Sequence, residues 1–297
     1  MELIDAAALG RRLGMTAAID ALEAGFAAGV PPQPLRTPTS TPDGQLLLMP
    51  AAGDQGVGVK LVTLTPGNPE RGLPFVQGMY VLFGPVSQSP EAAIDGASLT
   101  GLRTGAVSGL ATRWLAREDA SRLVVFGAGV QARTHVEAVR AVRDIEEVVI
   151  VSRTRERAEA LAAEVGGRVG SAADVAGADI ICTCTSSPQP LFDGGTLADG
   201  VHVNAVGAYT ADTRELDTAA VSRARVVVET REVAMAEAGD LLIPMAEGAI
   251  GRDHAVADLA EVVRGREVRR SQADITLFVS VGMAFEDLVV ARAAVDA

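Results

Sequence analysis

The sequence predicts an α/β chain in two parts, and three observations carry that expectation. From Ser121 onward, apolar runs alternate with helical stretches, the texture of a parallel sheet covered on both faces. Before Leu115 no such alternation occurs. Short apolar strands separated by prolines and turns predict a mixed or antiparallel sheet there, hence an α+β part. A length of 297 residues accommodates both.

Taken in order, Met15 to Ala27 predicts a helix. "GVPPQPLRTPTSTPDGQLLLMPA" is rich in proline and carries an Asp43-Gly44 turn between extended segments. "GVGVKLVTLTP" and "GMYVLFGP" read as further strands. After Thr100, "GLRTGAVSGLATRWLA" predicts a helix with Arg103, Val107, Leu110 and Trp114 on one stripe, Arg103 lying in its first turn. "RLVVFGAG" is a strand and "VQARTHVEAVRAV" a helix; "EEVVIVSRT" and "RERAEALAAEVG" repeat the pair. "ADIICTCTS", "GVHVNAVGA" and "ARVVVET" are three more strands, which puts the boundary between the parts near 116 to 121. The tail, "ITLFVSVGMAFEDLVVARAAVDA", ends in an apolar helix.

Composition excludes several classes of function. A net charge of -12 argues against a nucleic-acid surface, which needs clustered Lys and Arg. The first residues show neither the basic nor the apolar region of a signal peptide, and no apolar stretch is long enough to span a bilayer. A cytoplasmic protein with no membrane partner is expected. Cys182 and Cys184 are spaced for neither a disulfide nor a zinc site, so two small buried hydrophobes and no metal are expected. His135, His202 and His254 are expected to be packed, neutral side chains.

Gly127, Gly129 and Ala132 form G-x-G-x-x-A after a strand and at the start of a helix, the setting of a dinucleotide turn. The first glycine permits the tight turn, and the second lets backbone approach a pyrophosphate. The helix N-terminus then offers free N–H groups and a positive dipole end. At the end of the next strand an NAD site usually places an acid for the ribose 2′-hydroxyl. Here Val151-Ser152-Arg153-Thr154 has an arginine instead, which suits a 2′-phosphate. NADPH is therefore the expected cofactor ahead of NADH.

Three cations sit among apolar neighbours in the first part. Arg36 lies in "PPQPLRTP", Lys60 inside a strand pattern, and Arg103 on a packing stripe. Each alone suits a surface side chain. Together they suggest a site for a small carboxylate.

With these pieces in place, the chain resembles the ornithine cyclodeaminase/mu-crystallin family. "QPLRTP", "LLLMPA", "VKLVT", "DGASLTGLRTGAVSGLA", "VVFGAGVQA", "VSRT", "HVNAVGAYTADTRELD" and "SVGMAFEDL" run in the family's order from about residue 30 to 290. The resemblance implies a Rossmann domain (117–276) inserted into a substrate-binding and dimerisation domain (1–116 plus 277–297), and a homodimer. It implies that Arg36, Lys60 and Arg103 bind the substrate carboxylate. It also implies cofactor contacts from Gly127, Ala128, Gly129, Val130 and Gln131 at the pyrophosphate, and from Ser152, Arg153 and Thr154 at the adenosine ribose. Thr183, Cys184, Thr185, Ser186, Ala205, Val206, Gly207, Val281 and Gly282 match loops beside the nicotinamide, and Thr104 follows Arg103 in the shared T-x-x-R-T-x-A piece.

Two departures bear on the reaction. Where the cyclodeaminase branch carries a Glu for the distal amine, this chain has Leu47; where that branch carries a catalytic Asp, it has Tyr209. Asp212 is not assumed to substitute. The expectation is an oxidoreductase that reduces a cyclic ketimine carboxylate with NAD(P)H. Δ1-Pyrroline-2-carboxylate to L-proline is preferred, with Δ1-piperideine-2-carboxylate to L-pipecolate beside it, and with solvent or Lys60 as the proton source. The alternatives are an ornithine cyclodeaminase or L-alanine dehydrogenase-like enzyme, and a non-catalytic small-ligand-binding protein of the mu-crystallin kind.

Overall fold

The computed structural model describes residues 1–297, which divide into two compact units: Met1–Arg103 with Met283–Ala297, and Thr104–Gly282.

The first unit is built on a six-stranded mixed sheet. Its strands are β1 (Glu2–Ile4), β2 (Thr37–Thr41), β3 (Gly44–Gly53), β4 (Gly56–Leu64), β5 (Val76–Phe83) and β6 (Pro90–Asp95), in the spatial order β1-β6-β5-β4-β3-β2. Only β1 and β6 run parallel. Alternation decides which side chains turn inward. In β4, Gly58, Lys60, Val62 and Leu64 are buried, while Val57, Val59, Leu61 and Thr63 are half-exposed. Helices α1 (Ala6–Arg12), α2 (Met15–Ala28) and α10 (Ala284–Asp296) complete the unit, with α10 packed on α2 and on β3, β4 and β5. Helix α10 is apolar on nearly every side, as a helix enclosed by neighbours must be. Phe285 meets Phe26 of α2 edge to face at 5.5 Å between ring centres.

The second unit is an eight-stranded, wholly parallel sheet. It holds β7 (Arg122–Phe126), β8 (Glu147–Val151), β9 (Arg168–Val169), β10 (Ile180–Thr183), β11 (His202–Ala205), β12 (Arg225–Val228), β13 (Ala255–Asp258) and β14 (Thr276–Val279), and its later helices are α6 (Thr218–Arg223), α7 (Arg231–Glu237), α8 (Gly239–Ala246) and α9 (Leu259–Val263). Their order is β13-β12-β14-β11-β10-β7-β8-β9. Both faces are buried: Val124, Phe126, Ile181 and Val203 fill one side, Leu123, Val125, Ile150 and Cys182 the other. The chain passes from β7 through β8 to β9, then returns to place β10 on the opposite side of β7. This reversal opens a crevice at the carboxyl ends of β7 and β10, where ligands of such sheets bind.

Three details differ from the sequence reading. Strand β14 stands between β11 and β12 in the large sheet, so the second unit runs to Gly282 and not to 276. The run "ITLFVSV" is a buried central strand, and its hydrophobicity alone does not say to which sheet it belongs. Helix α3 (Gly96–Leu115) begins earlier than expected, with the Asp95 carboxylate accepting from the Ser98 N–H at 2.7 Å. Arg103 is therefore in the helix interior, and the division between the units falls just after it rather than near 116. Finally, Val107 and Leu110 are fully buried as the stripe predicts, but Trp114 is 41% exposed. Trp114 keeps the phase of the stripe but lies in the last turn of α3, where its cover ends.

Candidate active site

At the carboxyl ends of β7, β8 and β10 lies a crevice of about 400 Å³. Gly127, Ala128, Gly129, Ser152, Arg153, Thr154, Cys184, Thr185 and Ser186 line it. Gly127 has φ 114°, and a Cβ there would stand 2.4 Å from the Cys184 carbonyl, so strand and turn close up only around a glycine. Gly129 is different: a Cβ there would meet nothing within 4 Å. The space it leaves open belongs to whatever approaches the N-terminus of α4 (Val130–Arg140). This cradle fits a pyrophosphate. Arg157, in the first turn of α5 (Arg155–Val165), also lines the crevice, four residues after Arg153. Its spacing of four from Arg153 at a helix start was the signal for it. Val130, Gln131, Thr183, Ala205, Val206, Gly207, Val281, Gly282 and Thr104 do not line this crevice, and Thr183 and Ala205 are enclosed in their strands.

Two buried carboxylates organise the segments leaving the central strands. Glu215 accepts from the Thr185 N–H (2.7 Å), the Thr185 hydroxyl (2.5 Å) and the Gly207 N–H (2.7 Å). Glu229 accepts from the Ser280 hydroxyl (2.6 Å) and from the Val281 (3.2 Å) and Gly282 (2.9 Å) N–H groups. Behind Glu215, one oxygen of Asp240 accepts from the Glu215 and Leu216 N–H groups, both at 2.9 Å. Burial pushes Glu215 upward and Asp240 to about 7, against the pull of these donors.

In the first unit, charge collects where the sheet should be apolar. Lys60 is 1% exposed, and its Nζ lies 3.0 and 2.7 Å from the two oxygens of Asp287. Arg103 reaches Glu286 at 2.9 Å and Asp287 at 3.2 Å. Both acids come from the first turn of α10 and are fully buried. Burial lowers Lys60 to about 8; Arg103 and Arg36 push the same way, and Asp287 pulls it back up. Arg36 is half-buried, and its charge bears on Lys60 more weakly than that of Arg103. Tyr80 is directly opposite Lys60 in the β4–β5 register; its ring covers Gly58, and its buried hydroxyl has no protein partner.

Sequence reasoning passes over Glu286, Asp287 and Tyr80. The signal for the acids was present, since two adjacent carboxylates interrupt an otherwise apolar helix, the same anomaly that marked Arg103. Leu47 is 4% exposed, on the buried face that also carries Lys60, and is paired with Val62. Asp212 is exposed and accepts from the Thr210 hydroxyl. His202 bonds to Thr276 and Asn204, His135 to Ser108 and the Gln131 carbonyl, and burial lowers them to about 3 and about 4. His254 contacts the Val221 carbonyl at 2.8 Å. Cys182 and Cys184 are unbridged. No helix is long and apolar enough to cross a membrane.

Comparison with known proteins points the same way. The ornithine cyclodeaminase/mu-crystallin family matches residues 2–297. A Δ1-pyrroline-2-carboxylate reductase of Bacillus cereus is 39% identical over 267 residues, 86% of this chain and 82% of the relative. Ketimine reductase mu-crystallin of Rattus norvegicus is 39% identical over 272 residues, 89% of this chain and 84% of that protein. The structure of Thermococcus litoralis Δ1-pyrroline-2-carboxylate reductase in complex with NADH and L-proline superposes with a TM-score of 0.94 at 36% identity, covering 100% of this chain and 97% of that one. With a match along its whole length, a glycine-turn crevice on a parallel sheet and a buried cation cluster, the chain belongs to the ornithine cyclodeaminase/mu-crystallin family.

Proposed function

We propose that this protein is an oxidoreductase that reduces a cyclic ketimine carboxylate with a nicotinamide dinucleotide, Δ1-pyrroline-2-carboxylate to L-proline in the first instance. The observation that carries this reading is Lys60. Its ammonium has three donors, yet Asp287 is its only hydrogen-bond partner, in a buried cluster that also holds Arg103 and Glu286. Spare donors there suit an incoming anion. Arg36 and Arg103 supply the remaining charge for a carboxylate, Arg103 held in place by Glu286 and Asp287. When bound, the reduced nicotinamide supplies a hydride, which ends on the imine carbon. The proton that completes the amine comes from Lys60, whose value of about 8 makes it a usable acid near neutrality. The electron pair of the C=N π bond becomes the nitrogen lone pair that this proton meets. An apolar Leu47 in place of a carboxylate suits a ring with no second amine. L-Pipecolate formation from the six-membered imine follows from the same contacts.

Turnover separates the readings. Purified protein is expected to oxidise NADPH or NADH with Δ1-pyrroline-2-carboxylate and to release no ammonia from ornithine. Ammonia release at enzymatic rates would replace the reductase by a cyclodeaminase. Dinucleotide binding without turnover of any cyclic imine would leave a small-ligand-binding protein.

For the cofactor we infer a preference for NADPH, supported by Arg153 and Arg157 at the end of β8 with no acid beside them in the crevice lining. Replacing both by Ala is expected to raise the KM for NADPH by about tenfold or more while moving that for NADH little, since each arginine contributes a charge-assisted contact only to a phosphate. Equal effects on the two cofactors would remove both arginines from that role. A homodimer is also proposed. Its support is the outer face of the first unit's sheet, where Leu46, Leu48, Val59, Leu61, Val81 and Phe83 form a half-exposed apolar surface.

A further inference from the structure

We propose that Glu215 is the positioning residue of the cofactor crevice, a clamp that ties the crevice-lining segment leaving β10 to the segment leaving β11 beside it. One carboxylate oxygen takes the N–H and the hydroxyl of Thr185; the other takes the N–H of Gly207. Strands β10 and β11 are paired up to Thr183 and Ala205, so the clamp begins where the ladder ends. It closes tightly. A Cβ on Gly207 would stand 2.0 Å from the Thr185 carbonyl oxygen and 2.6 Å from the Glu215 carboxyl, so only glycine fits between the two segments. Thr185 lines the crevice beside Cys184 and Ser186, and its backbone is therefore fixed from behind by Glu215.

The choice of a carboxylate is informative. Glu215 is fully buried and forms no ion pair; every partner is a neutral donor. Burying an acid without a cation is costly, and an apolar filler would stabilise a fold more cheaply. What an ionised carboxylate does, and an amide does not, is accept hydrogen bonds at both oxygens at once. That property is needed only if two segments are to be held from one point. Asp240 holds the clamp itself, through the Glu215 and Leu216 N–H groups.

This inference rests on the reading of the crevice as a dinucleotide site, and the experiment separates the two. NADPH binding is followed by its fluorescence, with melting temperature and steady-state kinetics on the same preparations. Glu215→Gln retains size and one acceptor but turns an NH2 toward the Gly207 N–H. Its Kd for NADPH is expected to rise about tenfold, the loss of roughly one charge-assisted hydrogen bond, while the KM for the imine carboxylate at saturating cofactor stays within about twofold. Thr185→Val removes one donor and keeps the shape, and is expected to weaken NADPH binding about threefold in the same selective manner. It carries the test if Glu215→Gln does not fold. A folded variant that binds NADPH like the wild type, whatever its melting temperature, overturns the proposal. Wild-type protein that binds neither NADPH nor NADH overturns the dinucleotide reading, and the clamp's role falls with it.

Discussion

Replacing Arg103 by Ala is expected to lower kcat/KM for Δ1-pyrroline-2-carboxylate by about a hundredfold or more. A charge-assisted contact to a desolvated anion is worth roughly 2 to 5 kcal/mol, and about 1.4 kcal/mol corresponds to a factor of ten. The structure adds a second consequence. Arg103 is 5% exposed and reaches both Glu286 and Asp287, so the substitution also takes a cation from two buried acids. Removing one partner of such an arrangement costs about 3 to 5 kcal/mol of stability. The Ala variant should therefore melt earlier and also turn over poorly. Arg103→Lys distinguishes the two effects. It keeps the charge beside Glu286 and Asp287, so most of the stability returns, but it lacks the planar fork and should recover only part of the turnover. Cofactor affinity, measured by NADPH fluorescence, should barely change in either variant. A destabilised Ala variant with normal turnover per folded molecule would remove Arg103 from the substrate site.

The second large effect concerns Asp287. Burial lowers Lys60 to about 8, and Asp287 opposes that shift by its charge and its hydrogen bond. Asp287→Asn removes the charge, so Lys60 should titrate lower by about one to three pH units, the usual influence of an opposite charge at this range. The sign follows from the role proposed for Lys60. The protonated amine is the active form in reduction, and it is lost as pH rises through its pKa. Wild-type kcat should fall with a midpoint near 8, and in the Asn variant the same limb should appear at lower pH. At pH 7 Lys60 of the variant is then from about half to almost wholly deprotonated, and kcat falls by about twofold for a shift of one unit and by about a hundredfold for three. Cofactor affinity serves as the internal control, since Asp287 belongs to the first unit. A pH profile that keeps its midpoint in the variant would show that the limb belongs to another group.

Much of this protein was legible in one dimension. The strand–glycine–helix passage at 122–140 and the alternation after it identify a parallel sheet with its ligand turn, because such a sheet is buried on both faces and leaves an unbroken apolar signature. Arg36, Lys60 and Arg103 announced themselves because a cation among apolar residues is rare enough to need a reason. Leu47 and Tyr209 were readable as departures from a family pattern. Other features depended on contacts that sequence does not encode locally. Strand β14 follows the chain's last irregular segment and precedes α10, and only hydrogen bonding to β11 and β12 assigns it to the large sheet. Asp287 is 227 residues from Lys60, and Glu286 is 183 from Arg103; no periodicity links such pairs. Glu215 looked like one more acid in a polar stretch until the return of β11 beside β10 placed it behind the crevice segment that follows β10 and the segment that follows β11. Local pattern thus determined the elements and the types of chemistry present. The partner of each buried charge was decided by tertiary structure, because the energy of a buried charge depends on what lies within a few ångströms in space, however distant in sequence.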